Sequence, residues 1–289
     1  MIWNEITTAI TQATSQPFAI ADTRSVSGGC INQGYKISSS DRHSYFVKLN
    51  EATQLEMFVA EALGLKQMYA TETITVPKPI CWGTTDNSSY IVLEWLDLGG
   101  GNSQGWTEMG RQLAAMHRKG TSDRFGWERN NTIGSTPQIN TWTDNWADFF
   151  AEHRIGYQLK LAKRRGGSFP DTNKVVAAIR DKLADRQPQP SLVHGDLWSG
   201  NAAIATNGTP VIIDPATYYG DRETDLAMTE LFGGFPGSFY NGYNQEWELD
   251  SGYRQRKTIY NLYHILNHFN LFGGGYGSQA KRMIQQIVS

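Results

Sequence analysis

The 289-residue sequence predicts an α+β fold in two unequal lobes, a small β-rich N-terminal lobe and a larger, mainly helical C-terminal one. Three observations predict it. Residues 1–96 hold several short apolar runs of strand character around one helical segment. The glycine run Gly99-Gly100-Gly101 then marks a change of composition, reads as a hinge, and leaves 97–289 as the second lobe. Beyond it helical periodicity dominates, with one strand-rich exception at 191–214.

Element by element, residues 3–15 read as a short helix with Trp3, Ile6 and Ile10 on one face, and 18–26 as extended chain. The Gly-rich turn Ser27-Gly28-Gly29-Cys30-Ile31-Asn32-Gln33-Gly34 leads into a hairpin of 35–37 and 45–49, joined through polar 38–42. Across 53–69, Leu55, Phe58, Val59, Ala62 and Leu63 fall at helical spacing. Pro77 and Pro79 end that unit, and 80–83 with 90–95 form a further strand pair around Asp86-Asn87. In the second lobe, helical patterns cover 109–117, 142–161, 173–183 and 254–272. The exception at 191–214 reads strand, loop, strand, turn, strand, with extended pieces at Val193, 202–205 and 211–213. Ligands favour the cleft between two such lobes.

Composition removes several function classes. Nine Trp, 13 Tyr and 12 Phe can fill a core that a disordered chain would lack. The net charge of −2 offers no basic excess for nucleic acid or an anionic membrane surface. Apolar stretches such as 90–93 are far too short to span a bilayer, and the N-terminus has no basic segment followed by an apolar one. Two cysteines, Cys30 and Cys81, are too few for a disulfide framework or a Cys-rich zinc site. The expectation is a cytoplasmic protein with reduced thiols and neither nucleic-acid nor membrane partners. No feature signals an oligomeric state.

The strongest chemical signal is His194-Gly195-Asp196-Leu197-Trp198-Ser199-Gly200-Asn201, followed by Asp214 at the end of the apolar strand 211–213. Phosphoryl transfer needs one carboxylate to orient the attacking hydroxyl and accept its proton. It also needs an amide and a second carboxylate to hold magnesium on nucleotide phosphates. Asp196 fits the first role, and Asn201 with Asp214 the second. The competing reading is an ordinary β-hairpin with acidic ends.

Upstream, Lys48 sits among apolar strand residues, where an unpaired charge would be costly. Kinase-type enzymes place such a lysine on the α/β-phosphates and hold it with a helix glutamate. Glu61 is at the edge of the helix's apolar face, and Glu56 is a competing partner. The turn 27–34, through Gly28 and Gly29, offers backbone N–H groups that can cover phosphates, although it departs from G-x-G-x-x-G and lacks a P-loop's G-K-[ST]. Cys30 in that turn is either a small residue that fits or a redox-sensitive thiol whose pKa the amides and Lys48 lower. Glu94-Trp95-Leu96 begins the connection between lobes, where backbone groups at Glu94 and Leu96 would meet an adenine edge.

Together these residues resemble the fructosamine kinase (ketosamine-3-kinase) family, within the protein-kinase-like, aminoglycoside-phosphotransferase-like fold. The resemblance also covers Met57-Phe58-Val59-Ala60-Glu61, Pro137-Gln138-Ile139-Asn140, Phe149-Phe150-Ala151-Glu152-His153-Arg154, Asp214-Pro215-Ala216, Arg222-Glu223-Thr224-Asp225 and Phe232-Gly233-Gly234-Phe235-Pro236. It implies Asp196 as base, Asn201 and Asp214 as Mg²⁺ ligands, and Lys48 with Glu61 as the phosphate-positioning pair. It implies ATP and Mg²⁺ as cofactors, and phosphorylation of a ketoamine sugar at its 3-hydroxyl. That phosphate makes the adduct labile, a deglycation repair role. His194 and Asp225 would support the loop, although Asp225 can also be read as a plain helix N-terminal acid. Trp198 would stack on the substrate or hold a cationic amine, or else pack in the core. Asp144, Trp146, His153 and Arg154 are further substrate-pocket candidates, with surface roles as the alternative. Gly195 replaces the Arg of H-R-D and no A-P-E segment follows Asp214, so activity without activation-loop phosphorylation is expected.

Three rivals remain. Another small-molecule kinase of the same fold would act on an aminoglycoside, choline or homoserine. Polycationic aminoglycosides call for acids in the cleft, whereas Lys160, Lys163, Arg164 and Arg165 cluster in 142–165. A non-catalytic nucleotide-binding module would be expected to lack Asp196, Asp214 or Lys48. A serine hydrolase is raised by Gly101-Asn102-Ser103-Gln104-Gly105, but glycines stand where a nucleophile elbow needs a buried strand.

Overall fold

The structure, a computed structural model, describes residues 2–26 and 31–289. The turn residues Gly28, Gly29 and Cys30 therefore lie outside the described residues.

The small lobe is a five-stranded antiparallel sheet of β1 (Asp22–Val26), β2 (Gln33–Ser38), β3 (Ser44–Glu51), β4 (Pro79–Thr84) and β5 (Ser88–Glu94), in the order β1-β2-β3-β5-β4. Strand alternation decides what each face of β3 does. Val47 and Leu49 point into a core with Ile37, Tyr90 and Val92, roofed by Ile6 and Ile10 of helix α1 (Ile2–Thr14). Ile6 and Ile10 are four apart and share one helix face. The opposite β3 face carries Lys48 toward α2 (Leu55–Ala70), which buries Phe58, Ala62 and Leu65 in the larger core. The helix 53–69 expected from periodicity begins two residues later, after a 3₁₀ turn at Ala52–Gln54.

The start of the glycine segment pairs with the large lobe. Strand β6 (Leu98–Gly99) joins β10 (Ala202–Ala205) and β11 (Pro210–Ile212) in a three-stranded sheet, with Gly99 opposite Ile204. A Cβ on Gly101 would stand 2.6 Å from Ile204 Cγ1, whereas one on Gly100 would meet nothing within 4 Å. Asn102 then caps α3 (Ser103–Lys119), its Oδ1 accepting the Gly105 N–H at 2.9 Å. Ser103 opens that helix, outside any strand-to-helix elbow, which removes the hydrolase reading.

A hairpin of β7 (Asn131–Ile133) and β8 (Thr136–Gln138), not anticipated from the sequence, follows α3. The single helix expected at 142–161 is also resolved differently. Residues 142–145 stay non-helical, with Thr143 bridged to Phe125, because Asn145 caps the start at Trp146 by accepting the Asp148 N–H. Helices α4 (Trp146–Phe149) and α5 (Tyr157–Arg164) are then joined by a π-helical stretch at Phe150–Gly156.

The remaining elements are α6 (Thr172–Leu183), β9 (Ser191–Val193), β12 (Tyr218–Gly220), α7 (Glu223–Thr229), α8 (Gly237–Glu246), α9 (Tyr253–Phe272) and α10 (Tyr276–Val288). β9 pairs with β12, not with β10 or β11, so the 191–214 strands divide between two sheets. Helix α9 is the axis of the lobe, buried from Ile259 to Asn267. Helices α3 and α8 touch backbone to backbone. A Cβ on Gly110 would lie 2.0 Å from Phe239 O, and one on Gly242 1.9 Å from Thr107 O. No helix among the described residues is long and apolar enough to cross a membrane.

Candidate active site

The β10–β11 hairpin places the two proposed metal ligands. Ala202 pairs with Ile212, and the Ile213 N–H donates to Asn201 O at 3.0 Å, so Asn201 and Asp214 emerge side by side at one hairpin end. Asp214 itself has φ +56°, a left-handed conformation costly for a non-glycine residue. It marks the point where the strand ends and the carboxylate turns into the cleft.

His194 joins this end to the loop before it. Its Nε2–H donates to Ile213 O at 2.8 Å, and its Nδ1 accepts the Asp196 N–H at 3.2 Å. Burial keeps the ring below its ordinary pKa and so neutral, as that pattern requires. Gly195 between them has φ +81°, and a Cβ there would stand 2.1 Å from Ala216 O. Any side chain, including the arginine of H-R-D, is excluded. Asp225, in the first turn of α7, accepts the His194 N–H at 2.7 Å and the Gly195 N–H at 2.8 Å.

Asn201 Nδ2 donates to Asp196 O at 2.8 Å and to Asp196 Oδ2 at 3.3 Å. With the amide nitrogen so engaged, its oxygen is left for a cation. Burial first, then the Asp214 charge, push the Asp196 carboxyl up from 3.8 to about 7, against the Asn201 hydrogen bond.

Across the cleft, Lys48 Nζ donates to Glu61 at 2.7 Å and also reaches Asp214. Burial alone would lower the ammonium, but Asp214 and then Glu61 raise it above its usual range. Glu56 is exposed and pairs instead with Arg129 at 3.4 Å, which resolves the choice of partner. Gly64, one turn beyond Glu61, lets α2 approach the large lobe, since a Cβ there would meet Thr217 Oγ1 at 2.7 Å.

One cavity of about 450 Å³ is lined by Lys48, Glu61, Asp196, Trp198, Asn201 and Asp214. Trp198 is 39% exposed, so the core-packing reading does not hold. Its ring folds over Gly200, where a Cβ would stand 2.4 Å from the indole. The far wall is apolar and aromatic, with Phe232, His268, Leu271, Phe272 and Tyr276. The β7–β8 hairpin closes a third side with Asn131 to Gly134. Sequence reasoning missed these two walls, although Phe232-Gly233-Gly234 was among the family-like stretches. Among the described residues the lining carboxylates are Glu61, Asp196 and Asp214, with no acidic wall for a polycation.

Other candidates lie elsewhere. Asp144 is exposed and pairs with Arg124 at 2.7 Å. His153 stacks edge-on against Phe149, and Trp146 is core. Arg154 is fully buried and donates to Ile139 O and Asn140 Oδ1. None of the four lines the cavity. Trp146, His153 and Arg154 share the helical segment 146–156, which packs on α6 and α9, and Asp144 lies in the non-helical stretch before it. Glu94 and Leu96 lie outside the cavity lining, and the Glu94 N–H is already donated to Lys78 O.

A two-lobed fold with a lysine–glutamate pair facing H-x-D-x-x-x-x-N and a strand-end aspartate defines a small-molecule phosphotransferase of protein-kinase-like architecture. The family model described as Fructosamine kinase matches residues 2–289, and the chain belongs to that family. It is similar to a Synechocystis protein named "probable ketoamine kinase", 63% identical over 99% of this chain and 97% of that protein. It is also similar to the chloroplastic protein-ribulosamine 3-kinase of Arabidopsis thaliana, 46% identical over 91% of this chain and 82% of the plant protein. A crystal structure from Haemophilus somnus, of a protein assigned as a fructosamine-3-kinase, superposes with a TM-score of 0.93 at 32% identity, covering 99% and 98% of the two chains. The chain is thus an ATP-dependent phosphotransferase acting on a sugar hydroxyl.

Proposed function

We propose that this enzyme transfers the γ-phosphoryl group of Mg·ATP to the 3-hydroxyl of fructosamines or ribulosamines, free or protein-bound, in the service of deglycation. The observation that carries the reading is the convergence of Asp196, Asn201, Asp214 and Lys48 on one cavity. Asp196 orients the acceptor hydroxyl and takes its proton as the oxygen attacks phosphorus in line and ADP departs. A carboxyl held near neutrality suits a general base. Lys48, steadied by Glu61, contacts the α/β-phosphates once nucleotide draws it from Asp214.

Asn201 and Asp214 would hold the metal. Among the described residues no group of three or more His, Cys, Asp or Glu gathers as a metal cage. Two hard oxygen donors, with phosphate oxygens and waters completing the shell, fit Mg²⁺. The bound ion would supply charge neutralisation on the phosphate oxygens. Trp198 would lie against the sugar or the ammonium of the ketoamine. Residues 1–96 would serve the nucleotide and 97–289 catalysis and the acceptor.

An aminoglycoside acceptor is disfavoured by the aromatic, acid-poor far wall. The test is ATP consumption against ketoamines, aminoglycosides, choline and homoserine, with the phosphate position read by ³¹P NMR. Turnover confined to ketoamines, with phosphate at the 3-position, is expected. Turnover confined to another acceptor would overturn the proposal.

A further inference from the structure

Behind the catalytic loop lies a buried polar chain that phosphoryl transfer itself does not use. His117 on α3 is fully buried. Its Nε2 is 3.0 Å from Asp225 Oδ2, the oxygen that also accepts the His194 N–H. Its Nδ1 is 2.8 Å from the Tyr243 hydroxyl on α8. That hydroxyl is 3.2 Å from Arg222 Nη1, and Arg222 also donates to Trp247 O and Glu248 O.

Donor and acceptor capacities fix the two ends of this chain. A guanidinium only donates, so the Tyr243 oxygen accepts from Arg222. At the other end the Asp225 carboxylate only accepts, so His117 carries a hydrogen on Nε2 and donates it there. With Nε2–H held on Asp225, His117 Nδ1 faces the Tyr243 hydroxyl at 2.8 Å. Burial pushes the Asp225 carboxyl up, but the hydrogen bond from His117, with the His194 and Gly195 contacts, holds it below its ordinary 3.8. Asp225 stays an anion, with His117 as its one side-chain donor beside two loop amides.

We infer that His117 is a positioning residue for the phosphoryl-transfer step, with its Nε2–H held on Asp225 and its Nδ1 against the Tyr243 hydroxyl. By holding the Asp225 carboxylate it fixes the two consecutive loop amides immediately before Asp196, and with them the aim of the base. Loss of this donor leaves a buried carboxylate lone pair without a partner. It frees the loop without touching either substrate, so kcat falls while KM holds. The inference rests on Asp196 as the acceptor base.

The experiment uses the full-length enzyme with Mg·ATP and the best ketoamine. His117→Phe, assayed on the folded fraction, is expected to lower kcat by about tenfold or more with both KM values within about twofold. His117→Gln, which restores a donor at the Nε2 position, is expected to recover most of that loss. Tyr243→Phe removes only a hydroxyl. It is expected to lower kcat by about three- to tenfold while the hydrogen stays on Nε2, read from the His117 ring ¹⁵N shifts. Wild-type kcat in His117→Phe, or a wild-type His117 ring without a hydrogen on Nε2, overturns the inference. The Asp196→Asn variant separates the two failures. Its full turnover would remove the base assignment, whereas its inactivity beside fully active His117 and Tyr243 variants removes only the positioning role.

Discussion

At the scale of single residues, the carboxyl of Asp196 and the space around Gly195 carry the sharpest consequences. Asp196→Asn keeps the hydrogen bond to Asn201 but cannot take a proton. Its kcat is expected to fall by about two to four orders of magnitude with ATP affinity retained, measured by steady-state kinetics and nucleotide titration. Because a base must be ionised, kcat/KM of the free enzyme should rise with pH and level off above about 7, the value to which burial and Asp214 push this group. The stability consequence has the opposite sign. The folded pKa of about 7 exceeds the ordinary 3.8, so folding takes up a proton between those values and the enzyme loses stability as pH rises through that window. Asp196→Asn should therefore melt higher than the parent at pH 8, with the gap closing below about pH 4. Equal melting temperatures at pH 8 would mean that the carboxyl is not desolvated. Gly195 looks in the sequence like a missing arginine. Its left-handed φ and the nearby Ala216 carbonyl give it a positive reason.

Among elements, two helix contacts rest on glycines. Gly64 presses α2 against Thr217 one turn beyond Glu61. Gly64→Ala must push the helix outward and loosen Glu61 on Lys48. The expected result is a KM for ATP raised several-fold, with little change in acceptor KM. Gly110 and Gly242 instead set the backbone contact of α3 with α8, and neither lines the cavity. Gly110→Ala overpacks that contact and should cost about 1–3 kcal/mol, read as a fall in melting temperature. The helix start at Trp146 shows why boundaries were misread. Apolar spacing extends the pattern back to Trp142, but the Asn145 side chain satisfies the Asp148 N–H and fixes the first turn there. Periodicity reports a face, and caps decide ends.

For the molecule as a whole, the lobes meet through Lys48 of the small lobe and Asp214 of the large one. Removing divalent cation with EDTA should abolish turnover, and added Mg²⁺ should restore it. Between Asp214 and α7 the chain has only residues 215–222, and β12 ties part of them to β9. Gln138 and Asn131 of the β7–β8 hairpin donate to Ala216 O and Thr217 O, fastening the same stretch. No length remains there for a mobile activation loop. Phosphatase treatment of the purified enzyme should leave kcat unchanged, and a several-fold loss would contradict this.

The sequence by itself determined the two-lobe α+β plan, the β3 lysine and the H-x-D-x-x-x-x-N and Asp214 pair, because each is a local pattern. Alternation puts Lys48 opposite Val47, and a short hairpin brings Asn201 beside Asp214 whatever surrounds them. Tertiary structure alone decided that Glu61 and not Glu56 meets Lys48, that Trp198 faces the cleft while Trp146 and Arg154 are buried, and that Phe232 and His268 share a wall. Those outcomes depend on which faces of distant segments pack together. Spacing along one element carries no record of which face of another element it will meet.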